Sequence, residues 1–244
     1  NIIFKYKIFV NLKNKTYVKK LESNSRSLSE FNYLCNSEKT KSSESSGGSS
    51  GTAFFINNRG YLLTNNHVVE GCSLSKITYK NNDYDAKLIA TDKTLDLALL
   101  KAELKPKTFF NFSKNETKKL NTIYVAGYPL GKGLSDDLKI SSGIVSSLKG
   151  FEDNSNEIQI DAPINPGNSG GPIINENGDL IAIAVSGMAK DQTEGINFGI
   201  KSSAAERFLK SNNIDIDKSL YSRSKNKEQL LNILEEGTVY TYCN

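Results

Sequence analysis

From Thr52 to about Ile200 the chain alternates short apolar runs with polar breaks, and no stretch of 3.6-residue periodicity comes between them. Eleven of these runs read as strands: Thr52–Ile56, Tyr61–Thr64, Leu74–Tyr79, Asp85–Ala90, Leu97–Leu100, Ile123–Ala126, Leu138–Val145, Ile158–Ile160, Pro172–Ile174, Leu180–Val185 and Ile196–Ile200. Asn57-Asn58-Arg59-Gly60 and Asn175-Glu176-Asn177-Gly178 have the chemistry of tight turns, with a glycine available for positive φ. Many short strands without intervening helices predict an all-β domain of barrel or sandwich type. Pro106 and the polar run Asn111–Lys119 divide the strands into two groups of similar size, so two barrels are expected, over about 51–115 and 120–200.

The flanks read differently. Ser202–Ser211 has the pattern of an amphipathic helix, with Ser202 or Ser203 as cap, Glu206 in the first turns and an apolar stripe of Ala204, Ala205, Phe208 and Leu209. A second helical stretch, Lys227–Glu235, precedes Thr238–Cys243, which has strand character; the segment 213–244 is set apart as a C-terminal extension. At the other end, Phe4–Leu12 and Thr16–Leu21 alternate around Lys13-Asn14-Lys15, which suggests a β-hairpin arm over 1–22. Residues 23–50 are dominated by Ser, Asn, Glu and Lys, with six serines and two glycines in Lys41–Ser50, and read as a linker.

Composition narrows the function classes. The chain has 244 residues, 37% hydrophobic and 24% charged, as in ordinary globular proteins. Its longest convincing apolar run, Leu180–Val185, is far short of the roughly 18 residues of a membrane-spanning helix, so no transmembrane segment is expected. The net charge of +4 resides in the arm, where six lysines face the single acid Glu22. The remaining chain is close to neutral and offers no basic field for nucleic acid. The chain starts at Asn1 without a methionine and shows no signal-peptide pattern, which reads as a processed or truncated product. His67 is the only histidine, which excludes zinc sites built from paired histidines and assigns any imidazole chemistry to that residue. Cys35, Cys72 and Cys243 are far apart and in no CxxC spacing; one disulfide with a thiol left over has three pairings open. Cys72 is read as a small apolar filler.

The sharpest chemical signal is Gly167-Asn168-Ser169-Gly170-Gly171-Pro172. A serine among glycines suits a nucleophile in a tight turn, where the N–H groups of Gly167 and Ser169 can converge on a developing oxyanion. Such a hydroxyl needs a general base, and His67 ends the run Leu62-Leu63-Thr64-Asn65-Asn66-His67. The base in turn needs an anion to fix its tautomer. Asp96, in Thr94-Leu95-Asp96-Leu97-Ala98-Leu99-Leu100, is an acid at the start of an apolar strand; Asp92, in Ala90-Thr91-Asp92-Lys93, is its rival in what reads as a solvated turn.

The order His67, Asp96, Ser169, each inside its own local motif, resembles that of the chymotrypsin-fold (trypsin-like) serine proteases, and among them the bacterial HtrA/Deg type. Ser50-Gly51-Thr52-Ala53-Phe54, Ala126-Gly127-Tyr128-Pro129-Leu130-Gly131, Ser142-Gly143-Ile144-Val145-Ser146, Asp161-Ala162-Pro163-Ile164-Asn165-Pro166 and Gly195-Ile196-Asn197-Phe198-Gly199-Ile200 extend the resemblance over about residues 50–210. It implies two six-stranded antiparallel β-barrels of the chymotrypsin type, with a short helix after the second. It also implies a serine endopeptidase acting through an acyl-enzyme, with His67 as base, Asp96 as orienting carboxylate and Ser169 as nucleophile. Gly167, Asn168 and Ser169 would form the oxyanion turn, with Asn168 at its apex, and no metal or organic cofactor is implied.

In this fold the primary pocket is lined by Ile164, Ala184, Val185, Ser186 and Phe198, none of them an acid, which implies cleavage after small or medium apolar residues. The implied partners are polypeptides, unfolded proteins among them, in protein quality control; a homo-oligomer is left open. The implied location is exported, periplasmic or secreted. Only about 33 residues follow Ser211, against roughly 80–100 for a PDZ domain, so a protease domain without one is expected. The alternative reading is a latent or slow member of the fold that serves as a peptide-binding, chaperone-like module.

Overall fold

The computed structural model describes residues 7–12, 15–20, 49–129, 136–185, 195–219 and 223–243. The chain forms two units, Asn1–Gly47 and Gly48–Asn244. In the first, β1 (Lys7–Leu12) and β2 (Lys15–Lys20) pair antiparallel, from Lys7 opposite Lys20 to Leu12 opposite Lys15. Apart from Ser49 and Ser50, the linker expected over 23–50 lies outside the described residues.

The second unit carries two closed antiparallel barrels of six strands each. One is built from β8 (Thr122–Gly127), β9 (Lys139–Ser147), β10 (Glu157–Ile160), β11 (Pro172–Asn175), β12 (Leu180–Val185) and β13 (Asn197–Lys201), contiguous in the chain and ordered β8-β9-β10-β13-β12-β11 around the wall. The other uses β3 (Ser50–Phe55), β4 (Tyr61–Thr64), β5 (Ser75–Tyr79), β6 (Asn82–Asp92) and β7 (Leu97–Ala102). Those five leave a gap between β3 and β5. It is filled by β14 (Thr238–Cys243), which pairs with β3 from Thr238–Phe54 to Tyr242–Ser50 and with β5 from Tyr240–Thr78 to Cys243–Ser75. The segment 213–244 is therefore no appendage: its last strand is a wall of the first barrel. The pairing joins segments more than 150 residues apart, a relation that local pattern does not reveal.

Strand periodicity explains the core. Along β3, Ala53 and Phe55 point into the first barrel with Leu62, Ile77, Ala98, Leu100 and Val239. Phe54 and Ile56 point the other way, into a seam shared with Leu97, Leu99, Ile183, Ile200 and the helix residues Ala204, Ala205, Phe208 and Leu209. A strand such as β7 is buried on both faces, which is why Leu97–Leu100 reads as an unbroken apolar run. The second barrel has its own interior around Ile123, Val145, Ile158, Ile160, Ile173 and Ala182.

Three α-helices complete the described fold: α1 (Asn66–Val69), α2 (Ser202–Ser211) and α3 (Lys227–Gly237). The four apolar residues expected on α2 are the buried ones. Its cap differs from expectation, because β13 runs straight into the helix; Lys201 holds the N-cap position without a side-chain cap bond, and Ser202 is already helical. α3 is closed by a capping box. The Gln229 N–H donates to the Asn226 side chain, and the Asn226 N–H to that of Gln229. Leu230 and Leu234 bury the helix in the seam and deliver the chain to β14.

Cys72 is bonded to Cys243, which corrects its reading as a mere filler. Cys35 lies outside the described residues. The bond closes a loop of 171 residues and pins the end of β14 beside the loop that follows α1. Constraint of the unfolded chain by such a bond contributes about 2–4 kcal/mol. Calorimetry of the protein with and without dithiothreitol is thus expected to show the reduced form melting roughly 5–15 °C lower. An unchanged midpoint on verified reduction would refute the stabilising role.

Candidate active site

His67 is presented by α1, a single helical turn that follows β4. Asn66, Val68 and Val69 are buried while the His67 side chain stays 46% exposed, so the turn anchors itself on three residues and offers the fourth. The ring is aimed by Asp96. Asp96 Oδ1 accepts the His67 backbone N–H at 2.9 Å and Oδ2 lies 2.7 Å from His67 Nδ1. An ionised carboxylate only accepts, so Nδ1 carries the proton and Nε2 is left with its lone pair.

Asp96 has a φ of 53°, in the left-handed region that a non-glycine residue seldom adopts. The segment ahead of the base holds it there. The Asn65 side-chain amide donates to the Asp96 carbonyl at 2.9 Å, and the Asn66 N–H donates to the same oxygen at 3.1 Å. Backbone and side chain of Asp96 are thus both clamped to Asn65–His67. The carboxylate is 28% exposed rather than sealed in the apolar strand. Asp92 has different work: its Oδ1 accepts the Thr94 and Leu95 N–H groups at 2.9 Å, shaping the turn into β7.

The Ser169 turn lies where the two barrels meet. Gly170 N–H donates to the Ala184 carbonyl at 2.9 Å and Ala184 N–H donates to the Gly171 carbonyl at 2.8 Å, fastening the turn to the end of β12. From the first barrel, the Thr52 N–H donates to the Ser169 carbonyl at 2.9 Å and the Thr52 hydroxyl donates to the Gly167 carbonyl at 2.7 Å. Gly170, at φ +82°, has no room for a side chain, since a Cβ there would sit 2.3 Å from the Thr52 carbonyl oxygen and from Thr64 Oγ1. It would also lie 2.9 Å from the Asn65 nitrogen, which puts the serine turn directly against the segment that leads into His67.

Within the turn, the Asn168 N–H donates to the Asn165 carbonyl at 2.9 Å and is therefore engaged inside the loop. Gly167, at φ +98°, keeps an N–H that bonds to no backbone carbonyl among the described residues. Asn168 is buried with its Oδ1 unpartnered, against Gly127. Next to Gly127, burial pushes the Tyr128 phenol up to about 12, with Asp137 and Glu235 adding to the shift, so it stays protonated at all working pH.

Of the expected pocket residues, Ile164 and Ala184 are buried in the interior of the second barrel. Val185 pairs across the sheet with Phe198. Ser186 lies outside the described residues. Sequence reasoning gave no role to Thr52 or Asn65, although both stand inside quoted motifs; a side chain that acts on a distant backbone leaves no periodic trace. Among the described residues no cluster of His, Cys, Asp or Glu is placed to hold a metal ion, and no helix is long and apolar enough to cross a membrane.

The trypsin-like peptidase domain model matches residues 51–183. The chain is 38% identical to the serine protease Do-like HtrA of Bacillus subtilis over 183 residues, 69% of this chain and 40% of that protein. It is 36% identical to a probable periplasmic serine endoprotease DegP-like of Rhizobium meliloti over 163 residues, 64% of this chain and 32% of that protein. The chain thus spans well under half the length of these curated relatives. Among solved structures, an HtrA-type protease AlgW with a decapeptide superposes with a TM-score of 0.59 at 31% identity, covering 66% of this chain and 51% of that one. The serine endoprotease from Yersinia pestis superposes with a TM-score of 0.57 at 28% identity, covering 66% and 57%.

Proposed function

Since the chain belongs to the trypsin-like peptidases of the HtrA/Deg type, we propose that it is a serine endopeptidase whose triad is His67, Asp96 and Ser169. The observation that carries this reading is the clamp of Asp96 on His67, made to both the ring and the backbone N–H, beside a serine turn fastened to both barrels. In the first step Ser169 Oγ attacks the scissile carbonyl carbon while His67 Nε2 takes the hydroxyl proton. The oxyanion accepts the N–H groups of Gly167 and Ser169. The C–N bond then breaks, and the imidazolium returns the proton to the leaving amine. Water, activated by the same imidazole, attacks the acyl-enzyme and releases the acid. Asp96 keeps Nδ1 protonated and stabilises the imidazolium throughout.

The substrates are polypeptides, unfolded ones in particular, cleaved after small or medium apolar residues. Val185 and Phe198, paired at the end of β12, support this preference, being apolar without an acid to pair with a basic side chain, whereas Ile164 and Ala184 lie in the interior of the second barrel. Profiling with a peptide library should give Val, Ala, Ile and Leu ahead of Lys and Arg at the cleaved position. Selectivity among the apolar residues should be shallow, roughly 10–200-fold per methylene. Equal cleavage after lysine would overturn the assignment of the pocket. The protein acts in an exported, oxidising compartment: relatives with periplasmic names support this, and so does the Cys72–Cys243 bond, which reducing cytosol does not sustain.

A further inference from the structure

Thr52 touches neither base nor nucleophile side chain by any bond above, yet three hydrogen bonds run from it to the loops around them. It is wholly buried on β3. Its N–H donates to the Ser169 carbonyl at 2.9 Å, its hydroxyl donates to the Gly167 carbonyl at 2.7 Å, and the same hydroxyl oxygen accepts the Tyr128 N–H at 3.0 Å. The direction of the hydroxyl proton follows from this set. Tyr128 N–H can only donate, so the Thr52 proton is directed at Gly167. We propose that Thr52 is a positioning residue for the oxyanion turn, its hydroxyl anchoring the 167–168 peptide and with it the Gly167 Cα from which the Gly167 N–H is presented to the substrate carbonyl. The inference rests on the serine-endopeptidase reading for its catalytic consequence, though not for the anchoring itself.

The physical case is one of rotational freedom. Gly167 is a glycine at φ +98°, so its own backbone does little to resist rotation. The loop must therefore be held from outside. Fixing the Gly167 carbonyl on Thr52 sets ψ at Gly167, and the next peptide N–H, that of Asn168, is fixed in turn by the Asn165 carbonyl. With both ends of the 167–168 peptide tied, the Gly167 Cα is held in place, and φ at Gly167 is left as the rotation that turns its N–H; limiting that search before substrate arrives is the preorganisation that gives an oxyanion site its effect. Gly127 keeps the strand from the second barrel close enough to take part: a Cβ there would lie 2.9 Å from Thr52 Oγ1 and 2.7 Å from Asn168 Oδ1. The anchor itself is braced, because the Thr52 carbonyl accepts the Thr64 hydroxyl at 2.7 Å and Thr52 stands opposite Tyr240 of β14.

The test compares Thr52→Val, which keeps the shape and removes the hydroxyl, with Thr52→Ser, which keeps the hydroxyl, and with Thr52→Ala as a variant that cannot crowd the site. In full-length protein, Val and Ala are expected to lower kcat about 10–100-fold, a part of the 10²–10³-fold cost of losing an oxyanion donor outright. KM should change little, affinity for a peptidyl boronate should fall in parallel with kcat/KM, and Ser should restore kcat to within a few-fold. Hydrogen exchange read on the same variants gives a second measure that needs no activity. The Asn168 and Gly171 amides should exchange at least 10-fold faster in Val and Ala than in wild type, with β12 and β13 amides unchanged. Unaltered kcat in a folded Val or Ala variant of an active wild type overturns the proposal, as does unaltered exchange at the turn. Faster turn exchange in an inactive wild-type background would uphold the anchoring and refute the endopeptidase reading instead.

Discussion

Replacing Ser169 by alanine is expected to abolish labelling by a fluorophosphonate probe and to lower kcat on the order of 10⁶-fold, with His67→Ala giving a loss of similar size. The two effects should not add, because either change removes the same activated nucleophile. Neither should disturb the fold. His67 is an exposed member of α1 whose neighbours Asn66, Val68 and Val69 supply the burial. At the serine turn, the bonds to Thr52 and Ala184 are made by backbone groups of Ser169, Gly170 and Gly171, which alanine retains. The decisive measurement is labelling of wild type, Ser169→Ala and His67→Ala at equal concentration, with melting curves alongside. A wild type that is folded, and labelled neither before nor after addition of peptide, would exclude the endopeptidase reading and leave a peptide-binding module.

Ending the chain at Gly237 is expected to cost the first barrel its cooperative fold. β14 is inserted between β3 and β5, and its removal bares two strand edges, the interior occupied by Val239 and the buried Thr238 and Thr241. Nine register pairs are lost, each carrying of order 0.5–1.5 kcal/mol of net hydrogen bonding where bonded. The sum is comparable with the roughly 5–15 kcal/mol that stabilises a whole domain. Circular dichroism and melting should show a lost or strongly lowered transition, and hydrolysis should disappear with it. A synthetic peptide of residues 238–243 should restore part of both by strand addition. Cys72→Ser separates the strand from its bond: that variant should melt lower yet remain active. A truncated protein that melts at the wild-type temperature would show that β14 is dispensable.

The eleven strands from Thr52 to Ile200 are legible because barrel walls impose local rules. A strand with one face inside and one face in the seam is apolar on alternate or on all positions, and both signatures are visible without knowledge of partners. The His67, Asp96 and Ser169 motifs are legible for a related reason: each requires particular small or polar residues within a few positions. The twelfth strand was legible as a strand, though not as a wall, since its partners lie at the far end of the chain. Asn65 and Thr52 escaped for the same cause. Their bonds to Asp96, Gly167 and Ser169 span 31, 115 and 117 positions, and nothing in their immediate neighbourhood announces an acceptor there.

The placement of β14 also sets an order of events during synthesis. Residues 122–201 contain every strand of the second barrel, so that barrel has all its walls once they have left the ribosome. The first barrel must wait for residues 238–243, although its other strands emerged long before. Thr52 lies on the strand that β14 completes. A nascent chain thus holds the first barrel open from the emergence of β3 to that of β14, and the strand that carries Thr52 gains its second neighbour only then.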